Sequence, residues 1–85
     1  MSNIEVGTRA WMVSSSVDRH PSVGQVLKHF AWSHLPERLQ VISKNCASLA
    51  LQMCAAIPDD PELVVGLRKL LEAKDCFVRA ALSGE

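Results

Sequence analysis

The chain has 85 residues, 48% of them apolar and 21% charged, and its nine basic side chains are balanced by nine acidic ones. A chain this short makes a single domain that buries only about 60–65% of the surface its unfolded form exposes. The cancelled charge argues against a protein held to duplex nucleic acid by a general basic field, and leaves room only for a local cluster facing a small anion.

No stretch approaches the about 18–20 apolar residues of a membrane span, and no basic start precedes a continuous hydrophobic run, so a cytosolic protein is expected. Nearly half the residues are apolar, yet so small a fold offers few layers; the expectation is a homo-oligomer whose copies cover one another's apolar surface. Cys46, Cys54 and Cys76 are odd in number, match no zinc spacing and fall in helical apolar patterns, which predicts reduced core residues.

Residues 1–22 carry Gly7, the Ser14-Ser15-Ser16 run and His20-Pro21-Ser22 around one apolar cluster, Ala10 to Val13, a composition that predicts an N-terminal arm rather than a core element. Trp11 and Met12 on that arm are expected to pack on helices of their own or a partner chain. Val23, Val26, Leu27 and Phe30 predict a short helix over about 23–31, the start of a domain that runs to residue 85.

The first long helix is expected over about 34–57, with Ser33 as cap and Pro36 in the first turn. Leu35, Leu39, Ile42, Cys46, Leu49, Met53 and Ala56 recur at alternating spacings of four and three, the seam of packed antiparallel helices. Ile57-Pro58-Asp59-Asp60-Pro61 breaks the pattern, and Asp59 or Asp60 can cap a second long helix over about 61–83. The predicted fold is therefore all-α: an antiparallel helical hairpin with a short N-terminal helix or arm, assembled into a homo-oligomeric helical bundle.

The second helix holds the stretch LRKLLEAKDCFVRAAL, in which Arg68, Lys69, Glu72, Lys74, Asp75 and Arg79 are interleaved with apolar residues. Lys74 falls at the centre of the apolar stripe, where a lysine either snorkels out of a core or faces a ligand. Asp75 and Arg79 have the favourable spacing for an intrahelical ion pair.

None of the usual catalytic templates is present, the four glycines form no phosphate-binding loop, and His20, His29 and His34 are too scattered to share a metal. An enzyme is not expected, nor a cofactor. Phe30-Ala31-Trp32-Ser33-His34-Leu35-Pro36 is more suggestive, because an aromatic and an imidazole stand just before a helix. Bases stack on aromatic faces, and Arg38, Lys44, Arg68, Lys69, Lys74 or Arg79 of a neighbour can meet phosphate oxygens.

The strings WSHLPERLQVIS, PDDPE and LRKLLEAKDCFVRAAL, spanning roughly residues 30–82, resemble the helical hairpin domain of the phage anti-CBASS and anti-Thoeris sponges. The resemblance implies a non-enzymatic phage protein that sequesters cyclic di- or trinucleotide immune signals intact, acts in the bacterial cytoplasm during infection, and assembles as a dimer-based hexamer with pockets between protomers. It implies base stacking by Trp32 and a basic partner near Ser43 or Lys44. Together with the basic residues above, the expected ligand-binding set is Trp32, His34, Arg38, Ser43, Lys44, Arg68, Lys69 and Lys74. The alternative is a small helical interaction module that binds a host or phage protein.

Overall fold

The computed structural model describes residues 4–83, and every regular element among them is helical. Helix α1 (Arg9–Ser14) is followed by α2 (Pro21–Leu27), a 3₁₀ turn (Lys28–Phe30), α3 (Glu37–Ala56) and α4 (Pro61–Ser83). The molecule is a slab with principal extents of 41 × 35 × 17 Å.

The expected arm carries α1, which packs against α2 and the 3₁₀ turn. Thr8 starts it by accepting the Trp11 N–H on its hydroxyl, and Met12 is completely buried. Burying a methionine contributes about 1.5–3 kcal/mol, enough to hold one and a half turns that would not persist alone.

Helix α2 begins at Pro21, two residues before the expected start. His20 caps it, its Nδ1 accepting the Ser22 N–H at 3.1 Å. The chain then tightens into the 3₁₀ turn and brings Val23, Val26, Leu27 and Phe30 into the core beside Met12.

Helix α3 starts at Glu37, not at residue 34, and Pro36 occupies its cap position without a side-chain bond. Ser33 does not cap it, because it stands outside the first turn, before the cap position taken by Pro36, where its N–H donates to the Gly7 carbonyl at 3.1 Å. The buried stripe of α3 is also turned from the expected seam. Ser43, Cys46, Ala47, Ala50 and Cys54 face inward, while Leu49 and Met53 are exposed. The small side chains let bulky neighbours such as Met12, Phe30 and Leu67 close over α3, and leave an apolar row on its outer side.

Helix α4 has the expected bounds, with Asp60 accepting the Glu62 N–H at 2.8 Å at its start. It packs on α3 and α2 and buries Leu63 and Leu67. Farther along, Phe77 is 54% exposed. Cys46 and Cys54 are buried as expected, but Cys76 is exposed, on the outer side of α4.

Arg19 clasps the connection between α3 and α4. Its Nε donates to Asp59 Oδ1 at 2.7 Å, Nη2 to the Ile57 carbonyl at 2.6 Å, and Nη1 to the Cys54 carbonyl. Asp59 Oδ2 in turn accepts the His20 N–H at 2.8 Å. The last carbonyls of α3, which have no partner within their own helix, thus find one on the N-terminal segment.

Candidate ligand-binding clefts

Trp32 is fixed by Gly7. The Trp32 N–H donates to the Gly7 carbonyl at 2.8 Å, and Gly7 adopts φ 86°, a conformation that favours glycine. A Cβ on Gly7 would lie 2.6 Å from Cε2 of the indole, so the ring rests on bare backbone. Lys44 of α3 places its Nζ 4.5 Å from the ring centroid, within cation–π range.

These two residues wall a groove of about 550 Å³ together with Trp11 of α1 and Asn45, Ser48, Leu51 and Gln52 of α3. Gln52 Nε2 donates to Ser48 Oγ at 3.0 Å. Indole faces offer stacking surface, the amides can read the polar edge of a base, and the ammonium can meet a phosphate.

The remaining expected residues divide among other places. His34, Ser43 and Lys74 line a second cleft of about 320 Å³, in which they meet Arg9, Lys28, His29, Asp75 and Arg79. Adjacent residues of α3 therefore serve different clefts, Ser43 one and Lys44 the other. Arg68 lines a third depression with Lys28, His29 and Glu72, and Arg38 and Lys69 are exposed and line none of these three.

Lys74 resolves its position in the apolar stripe by reaching back across the fold. Its Nζ donates to the His29 carbonyl at 3.2 Å and pairs with Asp75 at 3.1 Å, leaving the side chain 13% exposed. Asp75 is thereby taken from the expected partner Arg79, whose Nη2 instead donates to Cys76 Sγ at 3.3 Å. Ser43 is fully buried, and its hydroxyl has no hydrogen-bond partner.

Burial pushes the Cys46 thiol up, partly countered by the Lys74 charge; it also raises Cys54, against which Arg19 acts. The hydrogen bond from Arg19, followed by that from the His20 N–H, holds the Asp59 carboxyl below its ordinary range. Arg9 and Lys28 were not singled out from sequence, since neither belongs to a periodic pattern or motif. Among the described residues no helix is long and apolar enough to cross a membrane. Comparison with protein-family models, curated proteins and solved structures finds no significant match to this chain.

Proposed function

We propose that the protein binds a cyclic di- or trinucleotide signal without cleaving it, as the resemblance to the phage sponges implies. The observation that carries this reading is the groove in which Trp32, backed by Gly7 and faced by Lys44, stands with Trp11 and two side-chain amides. A base entering it would stack on indole and displace or share the Lys44 ammonium, which is then placed for the adjoining phosphate.

In this reading α3 and α4 form an antiparallel hairpin, and several copies, six in the assembly the resemblance implies, make a helical bundle. The exposed apolar row of Leu49 and Met53, with Val41, Val65 and Phe77, supports coverage by other copies. Arg68 and Lys69, which do not line the groove of their own chain, would then come from a neighbour. The protein acts in the infected host's cytoplasm and denies the signal to its effector.

Calorimetric titration of the purified protein with cyclic di- and trinucleotides, followed by heat release and analysis of the nucleotide, tests this reading. Saturable binding with intact release is expected, weakened on the order of 1–3 kcal/mol by Trp32→Ala. Absence of heat across the panel would sink it. The same apolar row favours a second reading, an interaction module for a host or phage protein. Charge reversal at Arg68 or Lys69 leaves partner binding intact under that reading and abolishes nucleotide capture under the first.

A further inference from the structure

The second cleft has a charge pattern that the nucleotide groove does not share. Among the described residues Arg9, Lys28, Lys74 and Arg79 bring four fixed positive charges to it, and the single carboxylate, Asp75, is already paired with Lys74. Arg9 and Lys28 have no carboxylate partner among the described residues. At such a site the like charges repel one another unless an anion enters.

Ser43 supplies an independent observation. The residue borders this cleft, and its hydroxyl is wholly buried and has no hydrogen-bond partner. A buried polar group without a partner is destabilising, and a bound ion that accepts from it is one way a folded protein removes that cost. Lys74 is also largely withdrawn from water, so a bond to its ammonium is screened less than one to a surface lysine.

We infer that this cleft is an anion site that takes a terminal phosphate or diphosphate group, with Ser43 Oγ donating from its floor and Arg9, Lys28, Lys74 and Arg79 around it. The charge match selects this chemistry over the phosphodiester of a cyclic signal. A terminal phosphate carries about −1.5 to −2 at neutral pH and three acceptor oxygens, whereas a diester linkage brings a single charge. The volume of about 320 Å³ leaves room for a small group attached to the phosphate.

The site is separate from the Trp32 groove, so the two proposals fail separately. The probe is pyrophosphate, titrated into the full chain by calorimetry at low salt, with cyclic dinucleotide titrated in parallel. Saturable pyrophosphate binding is expected, weakened on the order of tenfold or more by Ser43→Ala and by Arg79→Gln and unchanged by Trp32→Ala. Arg79→Gln alters an exposed side chain and keeps the test decisive should the core variant fold poorly. No saturable binding to the wild-type chain would overturn the inference, as would equal loss in Trp32→Ala. Pyrophosphate binding without cyclic nucleotide binding would overturn only the sponge reading.

Discussion

Gly7 and Trp32, far apart in the chain, are in direct contact: the Gly7 carbonyl accepts the Trp32 N–H at 2.8 Å and its bare α-carbon lies beneath the indole. Gly7→Ala should destabilise the fold by about 1–3 kcal/mol, since the new methyl meets both a positive φ and a ring 2.6 Å away. Urea unfolding followed by tryptophan fluorescence checks this. An unchanged midpoint would show that the N-terminal segment does not support the ring in solution.

The Arg19–Asp59 clasp predicts a pH dependence. The Asp59 pKa is lower folded than unfolded, so its stabilisation is complete above the ordinary carboxylate range of about 3.9 and is lost as pH falls through the folded value. Asp59→Asn should flatten the acid limb of the stability curve relative to wild type. Arg19→Ala should be the more damaging change at neutral pH, because it also strips the Cys54 and Ile57 carbonyls of their donor. Unfolding midpoints at pH 6 and pH 3, values chosen on about either side of that range, give both comparisons.

Ser43→Ala should move stability and binding in opposite directions. Removing an unpartnered buried hydroxyl should raise the free protein's stability by about 1 kcal/mol, while pyrophosphate binding weakens. A thermal scan with and without pyrophosphate reads both. A loss of stability without ligand would mean that the hydroxyl is already satisfied.

The three cysteines should separate in alkylation kinetics. Cys76 is exposed, whereas Cys46 and Cys54 are buried with thiols raised by that burial, which lowers their thiolate fraction. One thiol per chain should react quickly at neutral pH and the other two only in denaturant. Cys76 reacting slowly would point to coverage of that part of α4 by another molecule.

Gly66 lies within α4 with open space where a Cβ would stand. In a lone chain Gly66→Ala should stabilise by about 0.5–1 kcal/mol through helix propensity. A measured loss, together with a lower mass by light scattering, would show that this surface is a close contact between copies.

The part of the fold legible in the sequence is the part governed by neighbours in the chain. Helix α4 follows from Asp60-Pro61-Glu62 at its start and its apolar repeat, and the bounds agree. Helix α1 is too short for a periodic signal, and it is held by the Thr8 hydroxyl at its start and by the burial of Met12, neither of which spacing reveals. The rotation of α3 could not be read from spacing, since Leu49 and Met53 are more apolar than Ser43 and Ala47. Small residues face inward there because distant bulky ones fill the space.

The same distinction governs the site. Trp32 stood out by residue type, and Lys44, to which the resemblance pointed alongside Ser43, lies over its ring within the same chain. His34, Ser43 and Lys74 also converge, yet in a different cleft, because that cleft is made by residues from α1, the 3₁₀ turn and α4 at once. Lys74 showed by its place in an apolar stripe that it needed a partner. That partner, a backbone carbonyl 45 residues away, carries no side-chain signature.

Because Ser43 and Lys44 are consecutive residues of one helix that look into different clefts, α3 serves as a partition whose angular setting assigns each residue to a side. A single inserted or deleted residue between Pro36 and Ser43 would turn the rest of the helix by about 100° and hand each cleft the wrong side chains. The length of this stretch is thus fixed by both clefts together.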